Sequence, residues 1–312
     1  ATPALDRILL DGAIVTPSNS ISVTITMTEV QRVRAIQTSN TPGGDGTTVQ
    51  LDCDEGALND LSSNLNDAFS SVVIHETLDS SIPTVSTTVS PTLNLGTGVL
   101  TFTGSETLDA RPKELLDLTK MRLSDVGGGN IGAPGAHDVV LTGAAITTGE
   151  GATLVVTLTG EQRAAAIAIS GKPGGDLGAL VLDVFGSAFT DIGTNRNADA
   201  ATNLNVAVVE TLDTIPPTVI SAELNLSTGV LIMGADEILD ATPATNSKGV
   251  TQSTTAIDLD LISLCDVSNQ PAPACVVLTG AATVAVDSLF LTITLTELQR
   301  SLVIAFSGQP GG

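Results

Sequence analysis

The chain has 312 residues, with 34 Asp and Glu against 12 Lys and Arg, a formal charge of −22, no Trp, no Tyr and 6 Phe. Phosphate recognition needs clustered cations, so this balance argues against nucleic acid and anionic membrane surfaces. The lack of Trp and Tyr argues against sugar-stacking platforms and aromatic protein hot spots.

Disorder is also excluded, because 42% of the residues are hydrophobic and they alternate in the manner of strands. No run of 18 apolar residues is present that would span a membrane. The acidity fits a soluble extracellular polymer first, with divalent-cation binding and adaptation to salt as alternatives.

The sequence repeats with a period of roughly 131 to 137 residues. Gln31-Arg32 with Pro42-Gly43-Gly44-Asp45 recurs as Gln162-Arg163 with Pro173-Gly174-Gly175-Asp176, and again as Gln299-Arg300 with Pro310-Gly311-Gly312. The pattern defines a partial repeat over residues 1–82, a complete one over 83–216 and a partial one over 217–312. The broken repeats imply a segment of a longer array, in which function lies in length, spacing and surface.

In chain order, the first partial repeat carries a helical segment at 29–36, the Pro-Gly-Gly-Asp turn, a loop at 60–64 and a junction with Glu76 and Asp79. The complete repeat opens at Pro83, since a proline suits a strand entry. Apolar runs on either side of Gly96-Thr97-Gly98 predict a β-hairpin.

A variable stretch at 111–120 corresponds to a longer Ser/Thr-rich one at 242–255 and reads as a surface loop. Strands are expected at 116–123, 139–147, 152–159, 179–184 and 204–211, with a Gly-rich loop at 127–135. Residues 160–168 favour one or two helical turns with Thr159 as N-cap, crossing between sheets. The core is expected to contain Val139, Leu141, Leu154, Val156, Leu158, Ile167, Ile169, Val181 and Val184. The fold class is therefore all-β: tandem antiparallel Ig-like β-sandwiches with one short helical turn per unit.

The junction Asp213-Thr214-Ile215-Pro216-Pro217-Thr218-Val219 resembles the Asp-Thr-Thr-Pro-Pro-Thr-Val junctions of bacterial Ig-like and cadherin-like surface repeats. The ordered set of Thr-Leu-Thr, Glu-Gln-Arg, Ala-Ile and Pro-Gly-Gly-Asp is similar to repeats of very large secreted proteins of algae and other protists. The resemblance covers every segment of the chain. It implies an extracellular, many-domain structural protein such as a mastigoneme-like flagellar hair, a cell-surface filament, an S-layer or an adhesin stalk.

Catalysis has no motif to rest on. His75 and His137 occupy non-equivalent places outside any metal-ligand pattern, there is no nucleophile elbow, and Gly127-Gly128-Gly129 does not open a helix as a phosphate loop must. Calcium is the one cofactor the residues admit. Hard cations take carboxylate oxygens, and Glu76, Asp79, Glu210 and Asp213 at the junctions, joined by Glu106, Asp109, Glu237 and Asp240, are the candidates. No Asp-x-Asp cluster accompanies them, so solvated carboxylates and strand-end caps are the default.

Cys265 and Cys275 flank a connection between two apolar runs, where a disulfide would imply an oxidising compartment. Cys53 is either a buried thiol or a link to another chain. Asn225-Leu226-Ser227 is a glycosylation sequon, and residues 242–255 and 271–273 suit O-linked sugars. The recurrent Arg either pairs with an acidic group of a neighbouring domain or chain, or covers apolar surface with its stem. The expected role is a mechanical spacer in an extracellular filament, with other copies of the chain and attached glycans as partners. The alternative is a calcium-stabilised adhesin segment.

Overall fold

The computed structural model describes residues 7–112, 115–125, 138–199, 201–245, 251–255, 257–266 and 274–308. They form two compact units, Ala1–Asp213 and Thr214–Gly312. The first partial repeat and the complete one are thus packed into one body.

The partial repeat contributes β1 (Ile14–Val15), β2 (Ile25–Thr26), α1 (Glu29–Gln37), β3 (Gln50–Cys53) and β4 (Phe69–Val73). The complete repeat follows with β5 (Thr92–Asn94), β6 (Val99–Leu108), β7 (Met121–Ser124), β8 (Asp138–Val140), β9 (Ala145–Ile146) and β10 (Gly151–Thr157). It ends with α2 (Gly160–Ala168), β11 (Val181–Val184), β12 (Val206–Ala207) and β13 (Val209–Thr211). The second unit holds β14 (Val219–Asn225), β15 (Val230–Leu239), β16 (Pro243–Thr245), β17 (Thr251–Thr255) and β18 (Ser263–Cys265). After these come β19 (Cys275–Val277), β20 (Ala282–Thr283), β21 (Ser288–Thr294) and α3 (Glu297–Phe306).

In the complete repeat two sheets enclose one core. Their strand orders are β13-β5-β6-β10-β9 and β12-β11-β7-β8. Period-2 alternation decides which side chains turn inward. Leu100 and Phe102 of β6 face Val156 and Leu154 of β10 in register, and all four are buried. Met121 and Leu123 of β7 meet Leu182 and Val184 of β11 on the second sheet, again fully buried. Of the expected core, Val139, Leu141, Leu154, Val156, Leu158, Ile169 and Val184 are buried, and Ile167 packs against them. Val181 is only half-buried, because Leu180, Leu182 and Val184 face the core in its place.

Several expected elements differ in detail. The strand expected over 139–147 is two strands in different sheets, β8 beside β7 and β9 beside β10. Gly143, at φ +89, makes the turn between them that a side chain would strain. The strand expected over 204–211 likewise divides, β12 joining β11 and β13 joining β5. That last pairing is parallel, an exception to the antiparallel expectation. The strand expected from 116 begins only at Met121, after a 3-10 turn over Leu118–Lys120 in which the Asp117 carboxylate accepts the Thr119 amide. Part of the stretch 242–255 is the β16–β17 hairpin rather than loop. The Gly-rich residues 127–129, with His137, residues 271–273 and Pro310-Gly311-Gly312, lie outside the described residues.

The helices run nine, nine and ten residues, longer than one or two turns. Thr28, Thr159 and Thr296 cap them, each within a capping box completed by Gln31, Gln162 or Gln299. Each glutamine also donates from Nε2 to two carbonyls of the strand-turn before it: Leu9 and Asp11, Val140 and Thr142, Val277 and Thr279. The recurrent Gln is therefore a buried staple that fixes the crossover to the sheets. Changing Gln162 to alanine is expected to cost about 1–2 kcal/mol, read as a lower urea midpoint at unchanged slope.

Candidate functional site

The joint between the first two repeats concentrates the charged side chains singled out from the sequence. α1 ends the partial repeat's crossover and lies against the end of β6 and the 191–195 loop of the complete repeat. Val33 and Ile36 of the helix form a small buried cluster with Ile192. The Pro-Gly-Gly-Asp turn presses on the same loop: a Cβ at Gly43 would overlap the Ile192 carbonyl, so only glycine permits the approach. At the rim, Gln37 donates to Glu150 at 3.2 Å.

Arg32 organises the centre. Its Nε and Nη2 donate to Glu29 at 2.8 and 2.9 Å, Nη1 to Asp79 at 2.7 Å and Nη2 to Glu106 at 2.8 Å. One planar guanidinium thus ties the helix, the inter-repeat linker and the next repeat together, using donors in fixed directions. Glu29 also accepts the Thr107 amide at 2.8 Å, a second link from helix to β6. The side chains of Asp79 and Glu106 are 9% and 10% exposed, whereas Arg32 is 31% exposed.

Asp191 completes an acidic trio with Asp79 and Glu106, their ligand oxygens lying within 4.8 Å of one another. It accepts from the Asn195 amide at 2.7 Å and from Asn195 Nδ2 at 3.0 Å, and the same Nδ2 reaches the Asp79 carbonyl at 3.3 Å. Burial raises the pKa of Glu106 above its ordinary value, against the Arg32 hydrogen bond that lowers it. Burial likewise raises Asp191, against its Asn195 bonds. At Glu29 burial pushes upward, but hydrogen bonds from Arg32 and Thr107 outweigh it and the carboxyl ends below its ordinary value. Arg32 is held more firmly protonated by Glu29 first, then by Asp79 and Glu106.

Chemically, the arrangement is a charge clamp. The three carboxylates are oxygen donors of the kind a hard cation takes, and two of them already bond the guanidinium. The other calcium candidates are engaged within their own repeats. Glu76 accepts the Val49 and Asn40 amides at 2.6 and 2.9 Å, and Glu210 accepts those of Leu180 and Gly171 at 2.7 and 3.1 Å. These two glutamates are strand-end caps that repeat with the fold. Asp109 accepts the Arg111 amide and Asp240 the Thr242 amide. Asp213 lies 3.6 Å from Arg163, the counterpart of Arg32. Glu237 lies on β15 and is not part of the trio.

Arg163 and Arg300 each reach a carbonyl in the hairpin turn of their own repeat, Gly96 and Leu226 respectively. Arg300 also keeps its helix pair with Glu297 at 2.7 Å. The first reading of the recurrent Arg, pairing with acidic groups of a neighbouring repeat, holds at residue 32, whereas Arg163 and Arg300 brace the hairpin turns of their own repeats through backbone carbonyls.

Pro83 is buried at the entry to the complete repeat, while Pro216 and Pro217 are exposed. Cys265 and Cys275 stand opposite each other in the β18–β19 pair and are joined, S–S 2.10 Å. Cys53 is a half-buried free thiol. Asn225 is exposed, its Oδ1 accepting the Ser227 and Thr228 amides. His75 is exposed. No helix among the described residues is long and apolar enough to cross a membrane.

Asp191 was missed as a partner of the trio. Its signal is the recurrence of the Asp-x-x-x-Asn loop at Asp60–Asn64, where Asp60 makes the same bonds to Asn64. No protein-family model, curated protein or solved structure matches the chain.

Proposed function

We propose that the chain is a structural segment of an extracellular filament or stalk, built of tandem Ig-like β-sandwiches and working by length and stiffness without catalysis. The observation that carries this reading is the Arg32 clamp. Domains joined by small polar interfaces move relative to one another by default. Here a buried apolar contact, a glycine-dependent approach and a four-way ion cluster oppose that motion.

The Ig-like assignment is supported by the strand order. The orders β13-β5-β6-β10-β9 and β12-β11-β7-β8 are consistent with the Ig pattern of ABED against GFC, with β13, parallel to β5, and β8 as additional strands. The Cys265–Cys275 bond supports an oxidising, extracellular or cell-surface setting. Other copies of the chain are the natural partners, with glycans at Asn225 as decoration. The acidic surface keeps such chains from clumping laterally.

The decisive experiment is electron microscopy of the purified protein in calcium and in chelator. Regular filaments of constant axial spacing, with the same form and melting temperature in both conditions, are the expected result. Monodisperse rods that bind a partner only with calcium would overturn it in favour of an adhesin.

A further inference from the structure

In the complete repeat the strand at the entry and the strand at the exit lie side by side and point the same way. β13 pairs parallel with β5, Val209 opposite Thr92, Glu210 opposite Leu93 and Thr211 opposite Asn94. The Val209 amide donates to the Pro91 carbonyl at 2.8 Å, and the Leu95 amide donates to the Thr211 carbonyl at 3.0 Å. Every other strand pair among the described residues is antiparallel. Because the two strands are parallel, the chain enters β5 at one end of the sheet and leaves β13 at the other.

Both strands are anchored in the body of the repeat. Ahead of β5, the Ser86 amide donates to the Thr103 carbonyl at 2.7 Å and the Ser105 amide to the Thr84 carbonyl at 2.8 Å, which stitches the entering chain to β6. Buried Val85 donates its amide to Oδ1 of buried Asn203, just ahead of β12, at 2.8 Å. Ahead of β13, β12 pairs with β11 of the other sheet, and the Val208 amide donates to the Leu180 carbonyl at 2.9 Å. The Glu210 carboxylate accepts the Leu180 and Gly171 amides at 2.7 and 3.1 Å, so β13 is tied to the second sheet as well as to β5. Leu93 and Leu95, on the β5 side of the pair, are fully buried.

We infer that the β13–β5 pair is the load-bearing latch of the repeat: tension along the chain shears it, and the sandwich stays folded until it parts. Tension draws β5 back toward the entry and β13 on toward the exit, in opposite directions along the strands. The inter-strand hydrogen bonds lie across that pull and are loaded together. A pair pulled apart from one end would open bond by bond and resist far less. The lifetime of a domain under force follows its unfolding rate, so what matters is the barrier at the pair that must part first. The inference rests on the spacer reading above in taking the chain as one that carries tension.

Single-molecule force spectroscopy of the whole chain, held at its two termini, tests it. Unfolding of residues 83–213 should release about 40 nm of contour at ~3.3–3.6 Å per residue, which marks the event of the complete repeat. Val209→Pro removes the amide that bonds Pro91 and should lower the rupture force of that event by about half. Moving one handle to the exposed Thr97, in the turn beside the exit, makes the unsubstituted chain peel β13 from one end; the force should fall at least about twofold, with every hydrogen bond still present. Gln162→Ala lowers the urea midpoint but should leave the rupture force unchanged, because the crossover is still folded when the latch parts. A rupture force insensitive to Val209→Pro and to the handle position, or lowered equally by Gln162→Ala, overturns the inference. Regular filaments in electron microscopy would then still leave the spacer reading standing.

Discussion

Replacing Arg32 by alanine should lower stability by about 2–4 kcal/mol, more than any other single surface-facing charge in the described residues. Breaking a buried ion pair from one side costs about 3–5 kcal/mol, because the remaining charge stays desolvated and unpaired. Arg32 itself is 31% exposed, and solvent screening reduces the figure. The loss is large because Asp79 and Glu106, both nearly buried, would face Asp191 with no cation between them.

The signature should be local as well as global. Hydrogen exchange should accelerate in 29–37 and 76–81, where the clamp holds helix to linker, while β6 and β10 keep their protection. Chain stiffness should fall with it, seen in X-ray scattering as a broader distribution of particle lengths. A double substitution, Arg32→Met with Glu106→Gln, should recover part of the loss, since it removes the buried charge together with its partner. If Arg32→Ala leaves both melting and exchange unchanged, the joint is held by the Val33, Ile36 and Ile192 contact alone.

Much of this architecture is legible in the sequence because repetition separates signal from accident. The hairpin around Gly98, the helix behind Thr159 and the alternation of Leu154 and Val156 follow from local rules that need no partner. The divisions at Gly143 and at Val208, between β12 and β13, were not legible. A run of apolar residues reads as one strand whether it stays in a sheet or crosses to the other.

The site was half legible. Asp79 and Glu106 were singled out as carboxylates at a junction, and the recurrence of Arg despite its scarcity pointed to a fixed partner. What the sequence withholds is the long-range pairing: Arg32 meets Asp79 across 47 residues and Glu106 across 74, and Asp191 arrives from further still. Glu76 and Glu210 looked like junction ligands because they sit near the linkers. Their carboxylates instead turn back onto amides of their own repeats, a role that depends on strand-end geometry.

The pH dependence of stability should have a maximum on the acid side of neutrality, and the sign follows from opposite shifts within one cluster. Burial raises the pKa of Glu106, Asp191 and Asp109 above the ordinary values of 4.5, 3.8 and 3.8. The folded state therefore holds these protons more tightly than the unfolded chain. As pH falls from neutral through the raised values, folding takes up protons and stability increases. Below the ordinary values that gain is complete. Glu29 behaves oppositely: its net lowering means its stabilisation is full above 4.5 and is lost as pH falls through the depressed value. Asp45, lowered by its hydrogen bonds from Thr47, and Asp60, lowered by those from Asn64, lose theirs below 3.8 in the same way. Acidification also relieves self-repulsion from the net charge of −22, which adds to the rise. Melting temperature measured against pH should climb from neutral toward the ordinary carboxylate range and then fall. Glu106→Gln should flatten the climb and leave the acid fall in place, because Glu29 and its bonds to Arg32 remain. A melting temperature that declines monotonically from neutral pH would show that Glu106 and Asp191 are solvated in the joint, and that Arg32 clamps a wet contact instead of a buried one.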